Sequence, residues 1–269
     1  MTSTITDVMR ARHAVRSYTG EPLTDVQASS IEDFIAATAP PFGARAQITL
    51  VKDAATPLGT MGSVKGAVSF MGLVFPRPGP PLAEEGAACW FEQVILHCTK
   101  LGLGTVWLAG FSRSSFDGHV TLDDGEVLAY ACPVGLEGGA QPLIDRLRLR
   151  KPHEAHGNKK PFEALFLNPD GSALAQANAG PYGDALEMVR IAPSARNLQP
   201  VRVIKDEGTC HFAVVPEKRA HTDAGIALCH FELTCKEQGI PGSFEPLADT
   251  PTPPHWQYIT SWVPTPRPR

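Results

Sequence analysis

Apolar residues recur at helical spacing in four stretches of the chain, and each stretch predicts an α-helix. The first begins after the capping box Thr24-Asp25-Val26-Gln27 and ends at Ala39-Pro40, because proline interrupts a helix. The second is the widest apolar stripe, and Gly102 stops it. The predicted helices cover residues 25–38, 87–101, 186–191 and 224–235.

Short apolar runs between the helices predict buried strands. They cover residues 48–51, 106–108, 127–134, 201–204, 211–215 and 258–263. The segment F-P-R-P-G-P-P-L at 75–82 has too many prolines for a helix or a central strand, so it predicts a loop. Helices and strands are mixed throughout the chain. We therefore expect an α+β fold built from two α/β halves, residues 1–165 and 166–269.

A short pattern occurs twice, in the same order in both halves. Residues 39–53 read A-P-P-F-G-A-R-A-Q-I-T-L-V-K-D, and residues 192–206 read A-P-S-A-R-N-L-Q-P-V-R-V-I-K-D, 153 positions later. Cys98 and Gly102 correspond in the same way to Cys235 and Gly239, 137 positions later. Ala-Pro and Lys-Asp are common pairs, so chance matches are the alternative. The shared order favours a duplication in which one functional site combines parts of both halves.

Charge and hydropathy exclude several classes of function. A net charge of −4 without a dominant basic patch argues against nucleic-acid binding. The longest uncharged apolar run, from Ala67 to Phe75, is too short to span a bilayer, and the N-terminus lacks the apolar core of a secretory signal. The six cysteines show no C-x-x-C spacing. Four of them lie in helical patterns and are expected to be buried free thiols, namely Cys89, Cys98, Cys229 and Cys235. We therefore expect a cytoplasmic protein without a nucleic-acid or membrane partner.

Two clusters of basic residues are candidates for anion binding. The N-terminal cluster contains Arg10, Arg12, His13 and Arg16. The other cluster contains Arg146, Arg148, Arg150 and Lys151. On an extended strand the three arginines of the second cluster share one face, which suits a phosphate because each guanidinium donates two hydrogen bonds. A solvated basic strand is the alternative interpretation.

Two further segments carry residues that suit a flat or phosphorylated ligand. P-S-A-R-N-L-Q-P at 193–200 places a serine, an asparagine and a glutamine on a constrained turn, although an ordinary polar loop has the same composition. G-L-G-T-V-W-L-A-G-F at 102–111 carries Gly104 and Gly110, which permit close approach of the backbone to a ligand. A helix cap followed by a bulge is the alternative for these glycines.

Taken together, these motifs resemble the FMN-dependent nitroreductase family. The resemblance rests on R-H-A-V-R (12–16), G-L-G-T-V-W (102–107), P-V-G (133–135), R-L-R-K-P (148–152) and P-S-A-R-N-L-Q-P (193–200). Each motif alone is a weak signal, but five together are specific. The resemblance implies a nitroreductase-like fold, an FMN cofactor, and electron transfer from NAD(P)H to a small-molecule acceptor.

The resemblance also implies a role for each matching residue. The expected flavin-binding residues are Arg12, His13, Arg16, Leu108, Ala109, Gly110, Arg148, Arg150, Ser194, Ala195 and Asn197. The basic residues would meet the phosphate or the pyrimidine edge of the ring, and the backbone at 109–110 would face flavin N5. No acid–base side chain is required, because the flavin does the redox chemistry.

The order of the motifs departs from the ordinary family, in which P-S-x-x-N precedes the G-L-G-T helix and reaches the flavin from the other subunit of a homodimer. Here that element comes last, which resembles a divergent branch with two fused copies in one chain. We therefore expect an internal pseudo-dimer with one FMN, complete as a monomer, with further dimerisation open. Ala14 and Val201 replace a serine and a tryptophan of the family pattern. These replacements leave a non-catalytic FMN carrier or sensor as an alternative.

Overall fold

A computed structural model describes residues 3–138 and 158–265 of the chain. The chain divides into two compact units. The first unit is Arg10–Gly157, and the second unit is Met1–Met9 together with Asn158–Arg269. The predicted halves, residues 1–165 and 166–269, are defined by a proposed duplication and not by compactness. The boundary between them therefore stays a prediction. In the ranges that are described, no helix is long and apolar enough to cross a membrane.

The first unit contains a four-stranded antiparallel sheet with two helices packed against one face. After helix α1 (Ile5–Ala11), its elements are α2 (Asp25–Ala37), β1 (Gln47–Val51), β2 (Phe70–Pro76), α3 (Ala83–Lys100), β3 (Gly104–Thr105), a 3-10 helix (Arg113–Phe116) and β4 (Glu126–Gly135). The strand order is β1-β2-β4-β3, which places β2 and β4 in the centre. The predicted capping box at the start of α2 is confirmed.

Strand β2 forms the centre of the first unit because both of its faces are covered. Met71, Leu73 and Phe75 pack into a cluster with residues of α2 and α3. Phe70 points to the opposite face, where its ring meets the edge of Phe116 at a centroid distance of 5.0 Å. A strand buried on both faces has a continuous apolar sequence rather than an alternating one.

Two predictions for the first unit are wrong. Phe75 and Pro76 belong to the central strand β2 and not to a loop. Proline is tolerated there because Pro76 is the last residue of the strand, where a missing N–H donor costs little. The predicted strand at 106–108 is replaced by β3 at Gly104–Thr105, and Leu108 makes only a single bridge to β4. The four predicted helices and the other predicted strands are confirmed.

The second unit contains a five-stranded sheet and two longer helices. Its helices and strands are β5 (Phe166–Leu167), α4 (Gly183–Ile191), β6 (Val201–Asp206), β7 (Thr209–Val214), α5 (Ala220–Glu237), β8 (Gly242–Glu245) and β9 (Gln257–Pro264). Its 3-10 helices are Phe162–Ala164, Gln176–Asn178, Gly180–Tyr182 and Ala195–Asn197. The strand order is β5-β6-β7-β9-β8, with only β5 and β6 paired in parallel among the strands described. The ring of Phe231 in α5 contacts the rings of Phe212 and Trp262 in the sheet, at centroid distances of 5.1 and 5.6 Å. Phe231 therefore lies at the centre of an aromatic core.

The two units share one order of elements. If α1 and β5 are left aside, each unit runs α-β-β-α-β-β, and the sheets β1-β2-β4-β3 and β6-β7-β9-β8 have the same order. Helices α3 and α5 are both 18 residues long. They end at left-handed glycines, Gly102 with φ 76° and Gly239 with φ 65°. In both, the amide after the glycine bonds back to a cysteine carbonyl, at 3.0 and 2.9 Å, which closes the helix in the same way.

Candidate functional site

Arg12 follows helix α1 and is buried, with 7% of its surface exposed. Burial lowers the pKa of its guanidinium below the usual value, and the charge of Glu92 acts in the opposite direction. The Nε atom of Arg12 has no hydrogen-bond partner within residues 3–138 and 158–265. A buried guanidinium with an unused donor is suited to a polar or anionic ligand atom, because buried donors normally find an acceptor.

Glu92 is the buried carboxylate whose charge acts on Arg12. It lies in α3, is fully buried, and accepts a hydrogen bond from Nε1 of Trp107 at 2.7 Å. The indole of Trp107 also meets Phe91 and Tyr130 edge to face, at 4.9 and 5.5 Å. Glu92 thus ties the tryptophan of G-L-G-T-V-W to α3. Sequence reasoning missed it, although a carboxylate inside the widest apolar stripe was an available signal, since charged residues are rarely buried without a partner.

Backbone pairing brings the basic segment 12–16 next to G-L-G-T-V-W. Ala14 forms a parallel bridge with Thr105, and the amide of Val15 donates to the carbonyl of Thr105 at 2.9 Å. Gly104 permits this approach, because a β-carbon on it would lie 2.7 Å from Cγ2 of Val15. Two motifs that are far apart in the sequence therefore lie side by side in the first unit.

The three basic residues of this segment have different surroundings. His13 is about half exposed, and its Nε2 lies 3.0 Å from Oε2 of Glu137. Arg16 is half-buried, and its carbonyl accepts the amide of Lys65 at 3.0 Å. Arg12 is the most deeply buried of the three. The segment thus presents one buried and two more accessible basic side chains, and their contact with a flavin stays a prediction.

The residues predicted to face flavin N5 lie where G-L-G-T-V-W leaves the sheet. Leu108 exchanges two backbone hydrogen bonds with Ala131, at 2.8 and 2.9 Å. Ala109 and Gly110 follow in an exposed bend, and their amides donate no hydrogen bond to another residue in the described part of the chain. A β-carbon on Gly110 would meet no atom within 4 Å. Accessible amides next to open space suit a backbone contact with a flat ring.

The segment 193–200 links α4 to β6 in the second unit, and its backbone is strained. Arg196, Asn197 and Gln199 have φ values of 52°, 57° and 51°. Non-glycine residues rarely adopt such left-handed values, and asparagine tolerates them best. Strain of this kind persists only where surrounding contacts impose it, and it concentrates at ligand-binding turns.

Two side chains hold this turn. The carboxylate of Asp223 accepts the amide of Ala195 with both oxygens, at 2.9 and 3.1 Å. The hydroxyl of Ser194 accepts the amide of Gln199 at 3.0 Å. A small recess of about 20 Å³ lies beside the turn, with Ser194, Gln199, Asp223 and Val201 in its wall. Ser194 and Ala195, both predicted flavin contacts, are therefore fixed by hydrogen bonds.

The segment 158–160 holds the other end of the turn. The side-chain amide of Asn197 donates to the carbonyl of Asn158 at 2.9 Å. The backbone amide of Lys160 donates to Oε1 of Gln199 at 2.8 Å, and its ammonium donates to the carbonyl of Leu198 at 2.8 Å. Asn197 thus stabilises the turn itself. Sequence reasoning missed Asp223 and Lys160, because neither belongs to a recognisable motif.

Arg148 and Arg150, the predicted phosphate ligands, lie outside the described residues, as do Arg146 and Lys151. No cluster of three or more metal-ligating side chains occurs in the two described stretches of the chain.

All six cysteines are buried free thiols, which confirms the prediction for the four that lie in helical patterns. Burial raises the pKa of Cys98 and of Cys235 to about 12. Burial also raises the pKa of Cys132 well above its usual value. These thiols are protonated at neutral pH and are poor nucleophiles, so they serve packing rather than chemistry.

The chain was compared with known proteins. Residues 4–235 match the protein family described as "Putative TM nitroreductase". A "putative nitroreductase" from Thermotoga maritima superposes with a TM-score of 0.64 at 16% identity, covering 99% of this chain and 96% of that one. A nitroreductase family protein from Clostridium difficile gives 0.40 at 14% identity, over 54% of this chain and 90% of that one. A nitroreductase with bound FMN from Desulfitobacterium hafniense gives 0.41 at 14% identity, over 53% and 93%. No curated protein sequence matches significantly.

The family match covers most of the chain, and the similarity to the Thermotoga protein extends over nearly the full length of both. These findings define an α+β protein with a nitroreductase-like fold, as predicted. The chain belongs to the nitroreductase family whose description it matches over residues 4–235. The two structures with TM-scores near 0.4 align with about half of this chain.

Proposed function

We propose that this protein is an FMN-dependent oxidoreductase that takes electrons from NAD(P)H and passes them to a small-molecule acceptor. The observation that carries the proposal is the pairing of Ala14 with Thr105. This pairing sets the basic segment 12–16 beside G-L-G-T-V-W, two motifs through which the sequence resembles flavin-binding nitroreductases. Membership of the nitroreductase family supports the oxidoreductase activity.

The residues of these motifs fit a flavin mononucleotide. Arg12 has a buried donor without a partner among the described atoms, and the bend at 109–110 presents accessible amides beside open space. The strained turn of the second unit offers fixed polar groups at the edge of a recess. The residues proposed to bind FMN are Arg12, His13, Arg16, Leu108, Ala109, Gly110, Arg148, Arg150, Ser194, Ala195 and Asn197.

In the proposed mechanism the chain binds and orients, and FMN supplies the electron transfer when it is bound. Positive charge from Arg12 and Arg16 would lower the free energy of negative charge at the pyrimidine edge of a bound flavin. An amide of Ala109 or Gly110 would donate a hydrogen bond to flavin N5. None of these roles requires a side chain that gains or loses a proton.

We further propose that the chain is an internal pseudo-dimer, derived from two fused nitroreductase-like copies, in which residues from both halves serve a single FMN. The repeated order of helices and strands in the two units supports a duplication. The equal lengths and matching glycine ends of α3 and α5 support it as well. Under this proposal a single chain is sufficient for cofactor binding, and dimerisation is not required.

Spectroscopy of the purified protein tests the proposed function. The protein is expected to retain FMN through gel filtration, with the visible absorption of oxidised flavin. Anaerobic addition of NADH and of NADPH should bleach this absorption with at least one of them, and a nitroaromatic or quinone acceptor should restore it. A protein that takes up no added FMN contradicts the proposal.

A non-catalytic flavin carrier or sensor is the second candidate. Ala14 and Val201 favour it, because they replace two side chains of the family pattern. This candidate predicts bound FMN that neither nicotinamide reduces. Rapid bleaching by NADH or NADPH rules it out and leaves the enzyme.

We also propose a cytoplasmic location. Six buried free thiols without a disulfide suit a reducing compartment. Fractionation of cells that express the tagged protein tests this proposal directly.

A further inference from the structure

The matching helices α3 and α5 carry different residues at one equivalent position. Both helices are 18 residues long, and residues of α3 correspond to residues of α5 at a constant separation of 137 positions. At the fourth residue, the first unit has Gly86 and the second unit has Asp223. Both positions face the loop that follows the preceding helix, which is the A-P-P-F-G-A segment in the first unit and the P-S-A-R-N segment in the second.

In the first unit this loop packs directly on the helix. A β-carbon on Gly86 would lie 2.5 Å from the carbonyl oxygen of Pro41 and 2.7 Å from Cβ of Ala44. Contacts this short leave no room for any side chain at position 86. The loop in the first unit therefore closes onto α3.

In the second unit a side chain stands between the loop and the helix. Asp223 is 5% exposed, and both of its carboxylate oxygens accept the amide of Ala195. It lies in the first turn of α5, where the helix dipole stabilises a negative charge. The small recess of about 20 Å³ lies beside these elements, with Asp223, Ser194, Gln199 and Ala227 in its wall. The side chain of Asp223 thus holds the loop away from the helix backbone.

We infer that Asp223 is a positioning residue, which holds the turn at 194–197 in the conformation that receives the flavin. The inference rests on the proposed function and adds a reason for a single flavin per chain. Gly86 leaves the equivalent loop of the first unit packed on α3, whereas Asp223 separates the loop of the second unit from α5 and anchors it. Asp223 acts through the amide of Ala195, and its own contact with the flavin is not required.

Three variants of the full-length protein test this inference by titration with FMN. Asp223→Ala removes the acceptor and is expected to weaken FMN binding about tenfold or more, because Ala195 loses its anchor. Asp223→Asn keeps an acceptor oxygen and is expected to restore affinity to within about threefold of the wild type. Glu232→Gln, on the same helix in an ion pair with Lys236, is the matched control and should bind like the wild type.

Hydrogen–deuterium exchange without FMN gives a second readout. Residues 193–200 are expected to exchange faster in Asp223→Ala than in the wild type, while Asp223→Asn and Glu232→Gln keep the slow rate. If Asp223→Ala does not fold, Asp223→Ser replaces it, and its shorter side chain should give a partial loss of affinity. Equal FMN affinity in the wild type and in Asp223→Ala, or in Asp223→Ser where that variant replaces it, overturns the inference. A wild-type protein that binds no FMN overturns the proposed function instead.

Discussion

Arg12 and Glu92 place opposite charges in the interior of the first unit, where water does not screen them. Removing two charges from water costs several kcal/mol for each, and their attraction offsets this cost only while both are present. Glu92 also accepts the indole N–H of Trp107. At the scale of single residues, one carboxylate of α3 therefore supports two motifs of the proposed flavin site.

Substitution Glu92→Gln separates the charge of this residue from its hydrogen bond. Glutamine keeps an acceptor for Trp107 but leaves Arg12 without its counter-charge, so we expect the free energy of unfolding to fall by about 3 kcal/mol. Urea denaturation measures the change. Asp25→Asn, at the exposed pair with Lys52, is the control and should leave the midpoint unchanged. Unchanged stability in Glu92→Gln would show that groups other than Glu92 stabilise the buried positive charge of Arg12.

His211 makes stability depend on pH. Burial lowers its pKa below the ordinary value of 6.5, and its Nδ1 lies 2.8 Å from the hydroxyl of Ser261. The folded state binds the proton more weakly than the unfolded chain. The contribution of neutral His211 to the free energy of unfolding is therefore complete above the pKa of the unfolded chain. It is lost as pH falls through the lower pKa of the folded state. We expect the urea midpoint to drop between about pH 7.5 and about pH 5.5. The drop should be smaller in His211→Asn, and equal drops would contradict this assignment.

At the scale of elements, the approach of segment 12–16 to β3 depends on a missing side chain. Val15 is buried against Gly104, and its methyl groups occupy the place of a β-carbon. Gly110, six residues later, faces open space instead. The two glycines of one motif therefore serve different purposes, the first for packing and the second for access.

Alanine at each glycine distinguishes these purposes. Gly104→Ala forces Val15 and the paired segment apart, so we expect a loss of about 1–3 kcal/mol in stability. Gly110→Ala creates no clash and should leave the melting temperature unchanged. It should weaken FMN binding, because its methyl group occupies the space proposed for the ring. Thermal melting of both variants checks the predicted stabilities, and FMN titration checks the predicted affinities. A Gly104→Ala protein as stable as the wild type would contradict the tight packing.

At the scale of the whole molecule, the proposed duplication predicts the stoichiometry. We expect one FMN per chain in a protein whose monomer of 28.9 kDa is sufficient for binding. Native mass spectrometry and the ratio of flavin to protein absorbance measure this directly. Asn197→Ala should weaken FMN binding, whereas Arg45→Ala, in the equivalent segment of the other copy, should change it little. Two FMN per chain, or one FMN that requires two chains, would contradict the composite site but not the family membership.

The fold could be predicted where its signals are local. Helix α2 follows a capping box whose two reciprocal hydrogen bonds are both present, and α3 stops at a glycine with positive φ. Strand β2 was not predicted, because an apolar run buried on both faces lacks alternation and its last residue is a proline. Helix α1 was not predicted either, since its seven residues carry a weak periodicity. At the start of α1, the amides of Ile5 and Thr6 donate hydrogen bonds to the carboxylate of Glu237, which is distant in sequence.

The sequence by itself determined helices α2 to α5, most strands and the family, because caps, periodicity and motifs depend on residues that are close together in the sequence. Only the tertiary structure decided that Arg12 is buried, that Ala14 pairs with Thr105, and that Asp223 holds Ala195. The physical reason is the same in each case. Burial, pairing and hydrogen bonding between distant segments depend on which surfaces come into contact when the chain folds. The local spacing of residues in the sequence does not determine those contacts.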